Sequence, residues 1–171
     1  VDKKQVELIV EQVLQKLSTA EPATSPAIHD GGAGGVFQEM GDAIQAAAVA
    51  HRQLVQLPLA VREKIIQAIR DVGWANREEY GRMELEETDL GAVAGTVLKL
   101  ETACGVPGIE EIKSEVFNGH RGITINERKP VGEIASNNAI TNASPGIIHK
   151  SIMKLAGGNT VDKNPQPKTK I

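Results

Sequence analysis

The chain has 171 residues, a length that suits one domain with an appendage or a piece of a larger protein. A net charge of -3 and only four aromatic side chains (Trp74, Tyr80, Phe37 and Phe117) leave no electrostatic footprint and no stacking platform for nucleic acid. No apolar run is long enough to span a bilayer and no secretory h-region opens the chain.

A single cysteine, Cys104, excludes an internal disulfide, so a reducing, cytoplasmic setting is expected. His29, His51, His120 and His149 have no metal-ligand spacing with one another or with Cys104, and no metal site is expected. In residues 1–17, Val6, Ile9, Val10, Val13, Leu14 and Leu17 form one apolar stripe at helical spacing, ringed by charged and amide side chains. The Ala/Pro/Ser/Gly tract that follows, 18–35, buries too little apolar surface to offset its ordering entropy and reads as a flexible linker. A short amphipathic helix on such a tether is a frayed extension or a docking helix, and its unpartnered stripe favours docking. The "GGAGG" within the linker follows no strand and lacks the spacing of a dinucleotide fingerprint.

The body, 36–171, begins with helices. Asp42 can cap a helix running towards Leu57. Pro58 fits the first turn of a second helix, with Val61, Ile65, Ala68, Ile69 and Val72 on one face. Asn76 with Glu79 resembles a capping box for "REEYGRMELEET". A further helix through Val93, Val97, Leu100 and Cys104 should stop at "GVPG". "GITINE" and "VGEIAS" then read as strands. Beyond them Ser144 and Pro145 mark the N-cap and first turn of a helix that buries Ile148, Ile152 and Leu155, and strand character resumes at "NTV". A strand–helix–strand crossover with parallel strands places a ligand beyond the carboxyl end of the first strand, at the Asn137–Asn142 loop, where the helix N-terminus adds backbone donors. No G-x-G-x-x-G is present.

Four runs, "REKIIQAIRDVGWANREEYGRMELEETDLG", "GVPGIEEI", "GITINERKPVGEIAS" and "ITNASPGIIHKSIMKLAGGNTV", give the body a resemblance to the N-terminal part of the CoA-acylating aldehyde dehydrogenases of bacterial microcompartments, the acetaldehyde and propionaldehyde group. The resemblance implies an α/β fold: a helical N-terminal half followed by the start of a Rossmann-like nucleotide-binding domain of aldehyde dehydrogenase type, incomplete here. It implies NAD-dependent oxidation of a short-chain aldehyde, with coenzyme A as co-substrate. A cysteine thiolate would add to the aldehyde, a hydride pass to NAD, and coenzyme A take the acyl group.

Family members bind the dinucleotide without the usual glycine fingerprint, and many carry an N-terminal helix that packs them inside a protein shell. Residues 2–17 are accordingly expected to meet a shell protein, inside a microcompartment in the cytoplasm, and the full-length protein is expected to be a homo-oligomer. The family's Thr-Asn-Pro motif falls on Thr141, Asn142 and Ala143, which makes Asn142 the implied oxyanion-hole donor, with alanine in place of the proline. Read from the residues alone, Asn142 is a loop-capping asparagine. The same resemblance implies cofactor contacts at Ser136, Ile140 and Thr141, and at Pro165, Gln166 and Pro167, where "NPQP" replaces a Pro-His-Pro-like turn.

Two departures limit what the resemblance implies. The family's catalytic cysteine falls beyond the residues present. Cys104 matches a non-catalytic position near a helix C-terminus, where the dipole disfavours a thiolate. Glu133, Asn137, Asp162 and Lys163 stand where buried parallel strands read as apolar runs, so either the strands are exposed or the nucleotide site has drifted. An NAD-dependent acylating dehydrogenase fragment, inactive by itself, is therefore one reading. A non-catalytic assembly module built on the same fragment is a second, and a nucleotide-binding regulatory piece a third.

Overall fold

The computed structural model describes residues 33–165, so the expected helix at 1–17, most of the linker, Gln166 and Pro167 lie outside the described residues. Four helices come first: α1 (Met40–Leu54), α2 (Leu59–Ala75), α3 (Arg77–Thr88) and α4 (Val93–Cys104). An antiparallel hairpin follows, β1 (Glu115–Gly119) and β2 (Gly122–Asn126), and then the parallel unit β3 (Glu133–Asn138), α5 (Ala143–Ala156) and β4 (Thr160–Pro165). The expected crossover is present, with Glu133 opposite Thr160 and Asn138 opposite Pro165. Among the described residues, no helix is long and apolar enough to cross a membrane.

The helix ends differ in detail from the sequence expectations. Asp42 lies inside the first turn of α1, where its charge opposes the dipole, and Glu39 takes the N-cap position. Pro58 is the N-cap residue of α2 rather than part of its first turn. Asn76 makes no capping bond to α3; its carboxamide donates back to the Val72 carbonyl at 2.8 Å. The stop at "GVPG" is as expected, since α4 ends at Cys104 and Gly105 follows as its C-cap.

Three helices build the core. Ile66 of α2, Leu100, Ala103 and Cys104 of α4, and Ile148, Ile152 and Ala156 of α5 form one buried cluster. The buried face of α2 is rotated from the expected one: Ile66 and Gly73 are buried, whereas Val61, Ala68 and Val72 are exposed. Gly73 explains the rotation. A Cβ there would come within 2.7 Å of Ile148 Cδ1 and 2.9 Å of Cys104 Sγ, so α2 approaches its neighbours through its glycine, with the half-buried Ile69 of the expected stripe packed against the same core.

Helices α1 and α5 flank the β3–β4 pair. Thr160 donates to the Ala47 carbonyl of α1 at 3.0 Å, while Lys163, an odd number of positions along the strand, bonds the Ile147 carbonyl of α5 at 3.1 Å. The polar strand residues find tolerable surroundings: Glu133 and Asn137 are exposed, and Asp162 and Lys163 are half-buried. At the amino end of the pair, the buried Asn159 accepts from the Val131 and Gly132 amides at 2.7 and 3.0 Å and ties the entry of β3 to that of β4. The hairpin stands apart, every one of its strand residues exposed.

Candidate functional site

The carboxyl end of β3, the 3-10 turn Ile140–Asn142 and the first turn of α5 form the candidate site. Ser136, Ile140, Thr141 and Asn142 all belong to this segment. Pro165 closes β4 opposite Asn138, two residues beyond the pairing of Ser136 with Lys163. Ser136 and Asn138 are buried, and Ser136 Oγ and Asn138 Nδ2 have no hydrogen-bond partner. Unsatisfied buried groups at a strand's carboxyl end are the kind of atoms a bound ligand would engage. Thr141 and Asn142 are exposed. Asn142 occupies the N-cap position of α5, yet its side chain makes no capping bond.

Charged side chains from three helices hold this segment. Lys99 of α4 donates to the Thr141 carbonyl at 3.2 Å. Lys150 of α5 donates to the Asn137 carbonyl and, at 3.0 Å, to Asn138 Oδ1. Glu84 of α3 is 3 % exposed, and one of its carboxylate oxygens accepts from the Ser144 hydroxyl at 2.7 Å and the Ser144 amide at 3.2 Å. A groove of about 360 Å³ runs between α3 and α4 up to Thr141, with Glu84 and Lys99 on its walls. A larger cleft of about 820 Å³ lies by Arg62, Pro130 and Asn159, towards the amino ends of β3 and β4, and none of the sequence-predicted site residues lines it.

Two expectations need correction here. Ser144 is not the N-cap of the last helix but its second residue, because its hydroxyl turns towards Glu84. The donors expected at the helix N-terminus are also largely committed: the Ser144 amide meets Glu84 and Pro145 has no N–H. An intramolecular carboxylate thus occupies the place where a ligand phosphate would sit on a free helix end. A dinucleotide fits this site only without seating its pyrophosphate on the Ser144 amide of α5, which leaves the carboxyl ends of β3 and β4 to receive it.

Cys104 is buried in the helical core, and burial pushes its thiol above the ordinary range, the Arg70 charge opposing that shift and Glu101 adding to it. A buried, protonated thiol packed against Gly73 is a core side chain. Glu84, Lys99 and Lys150 were not singled out from the sequence. Glu84 lies within an acidic run that reads as a solvated face, and its one signal is Gly81, three residues before it on the same helix face, where a Cβ would lie 3.3 Å from Val93.

Comparison with known proteins extends the picture. No family model matches the chain. An acetaldehyde dehydrogenase (acetylating) of Bilophila wadsworthia is 34% identical over 99% of this chain, and a propanal dehydrogenase (CoA-propanoylating) of Salmonella typhimurium is 31% identical over 97% of it. The chain spans 36% and 35% of those two relatives, about a third of their length.

Among solved structures, a propionaldehyde dehydrogenase from the Clostridium phytofermentans fucose utilisation bacterial microcompartment matches 78% of this chain at 41% identity with a TM-score of 0.74, and 31% of its own chain is covered. A Rhodopseudomonas palustris propionaldehyde dehydrogenase with bound CoA and an acylated cysteine matches 80% at 35% identity and a TM-score of 0.76, with 32% of its chain covered. An engineered glycolyl-CoA reductase with bound NADP+ matches 80% at 34% identity and a TM-score of 0.75, again with 32% covered.

Proposed function

We propose that this chain, which corresponds to an N-terminal portion of the CoA-acylating aldehyde dehydrogenases, supplies the cofactor-facing edge of an enzyme that oxidises a short-chain aldehyde to acyl-CoA. The observation that carries the reading is Asn142: it stands exposed at the carboxyl end of the parallel β3–α5–β4 unit, with its carboxamide uncommitted at the N-cap. Bound at this edge, a nicotinamide cofactor supplies the hydride acceptor. Ser136, Ile140, Thr141, Pro165, Gln166 and Pro167 would hold it, with NAD as the form expected, and Ser136 Oγ and Asn138 Nδ2 have unfilled hydrogen-bonding capacity to offer.

The role of Asn142 is to donate a hydrogen bond to the oxyanion that forms when a thiolate adds to the aldehyde. A preorganised donor of this kind stabilises the transition state more than the ground state. Cys104 cannot supply the thiolate from inside the core. On this reading the nucleophile is therefore not among these residues. The assay is aldehyde- and CoA-dependent NADH formation, run on this chain and on a longer one that includes a cysteine-bearing catalytic part, with NADP+ as the alternative acceptor. Turnover by the longer chain and none by the 171-residue chain is expected. In the longer enzyme, Asn142→Ala should lower kcat by roughly 10²–10³ with little change in KM for the cofactor. Turnover by this chain alone, abolished by Cys104→Ser, would overturn the reading.

The stripe from Val6 to Leu17 supports a second element of the same reading: residues 2–17 dock the enzyme on a microcompartment shell protein. Fused to a fluorescent protein in cells with the cognate shell, residues 1–20 should give puncta, and Ile9→Glu with Val13→Glu should disperse them. Diffuse signal from the unmutated fusion would reduce the segment to a frayed extension.

A further inference from the structure

We propose that Glu84 is a positioning residue for Asn142: it caps α5 from a neighbouring helix and so releases the N-cap carboxamide to face the reacting aldehyde oxygen. The inference rests on the reading of Asn142 as an oxyanion donor. An asparagine at an N-cap ordinarily turns its own oxygen onto the amides of the first turn, which satisfies them and holds the side chain over the helix end. Here the first-turn amide that such a cap would serve, that of Ser144, is already taken by Glu84 at 3.2 Å, and the Ser144 hydroxyl by the same oxygen at 2.7 Å. Pro145 removes a further donor. Nothing in the helix end then competes for the Asn142 carboxamide, and it makes no capping bond.

A carboxylate 3 % exposed is costly to bury, and its placement at the positive end of a helix offsets part of that cost. Sixty residues separate Glu84 from Ser144, so the contact also fixes where α3 stands relative to the loop. Lys99 completes the frame from α4 by holding the Thr141 carbonyl, the residue before Asn142. The backbone of Asn142 is thus pinned on both sides, which fixes the Cα from which its carboxamide reaches. Oxyanion donors work by being fixed before the charge develops, and a displacement of about 1 Å is enough to lower the rate on the order of a hundredfold.

The test is a double-mutant cycle in the longer, active enzyme: Glu84→Ala, Glu84→Gln, Asn142→Ala and the pair Glu84→Ala with Asn142→Ala. Glu84→Ala should lower kcat by roughly 10- to 100-fold and leave KM for aldehyde and cofactor within about twofold. Glu84→Gln keeps an oxygen that can accept from Ser144, so it should recover most of the rate. The pair should be no slower than Asn142→Ala alone, because Glu84 acts through Asn142. Losses that multiply, or a silent Glu84→Ala beside a slow Asn142→Ala, overturn the proposal and leave the reading of Asn142 intact. An Asn142→Ala enzyme of unchanged kcat removes that reading, and the proposal with it. Hydrogen exchange on the 171-residue chain gives a readout independent of turnover. Glu84→Ala should speed exchange of the Ser144 amide at least about tenfold over that of Leu100 in the core. Equal acceleration at both would make Glu84 a stability residue only, which also overturns the proposal.

Discussion

Lys163→Met should stabilise the chain near neutral pH, and the gain should vanish in alkali. Lys163 runs from β4 onto α5, where its ammonium donates to the Ile147 carbonyl at 3.1 Å and to the Ser151 hydroxyl. Burial first, and then the charge of Lys154, bring its pKa from 10.5 down to about 8. At 1.36 kcal/mol per unit, that shift corresponds to about 3 kcal/mol against the charged form. The side chain is only half-buried, so solvent screens part of this and about 1–2 kcal/mol remains. Methionine keeps the length of the stem, and Ser151 retains its bond to the Ile147 carbonyl at 2.6 Å, so the substitution leaves no buried hydroxyl unpaired.

The pH dependence has a definite sign. The folded-state pKa lies below that of the unfolded chain, so the cost of Lys163 is fully present below about pH 8. Between about 8 and 10.5 the folded chain releases the proton while the unfolded chain keeps it, and wild-type stability rises through that window. Above it the cost is gone. Urea unfolding followed by circular dichroism across this range should show the variant more stable by about 1–2 kcal/mol at neutral pH, with the two curves converging as pH rises. Parallel pH profiles, or a variant less stable at neutral pH, would refute the account of Lys163 as a tolerated but costly cation.

Three further outcomes follow from the packing. Gly73→Ala should lose about 1–2 kcal/mol, the strain of a Cβ placed 2.7 Å from Ile148 Cδ1 outweighing about 1 kcal/mol of helix propensity. Ile148→Val, which removes that Cδ1, should recover part of the loss in denaturant titrations. Asn159→Ala should cost about 2 kcal/mol in thermal unfolding, because the Val131 and Gly132 amides lose their shared acceptor. Cys104→Ser should cost about 1 kcal/mol by placing a hydroxyl in the apolar cluster, and should leave turnover of the longer enzyme unchanged.

What could be read in advance depended on whether the determining contact was local. The end of α4 at "GVPG" and the β3–α5–β4 crossover follow from punctuation and period, and both are present in the fold. Strand β1 leaves no such mark: both faces of the hairpin are exposed, so "EVFNG" carries no burial alternation to detect. Of the periodic face of α2, Ile69 packs on the core, but Val61, Ala68 and Val72 do not, because periodicity counts apolar side chains whereas the closest approach is made by the missing one at Gly73.

The loop after β3 shows the same limit at the candidate site. Thr141 and Asn142 could be picked out by their place in a recognisable run. That Ser144 is met by Glu84 could not, since Glu84 is distant in sequence and set in an acidic stretch that looks solvated. Ser144 beside Pro145 has every local mark of a helix start, and local rules assign it the cap. Its hydroxyl instead pairs with Glu84, and the N-cap position falls to Asn142. A cap supplied from another helix is invisible to any reading that looks only a few residues along the chain, and here Glu84 supplies it to both the amide and the hydroxyl of Ser144.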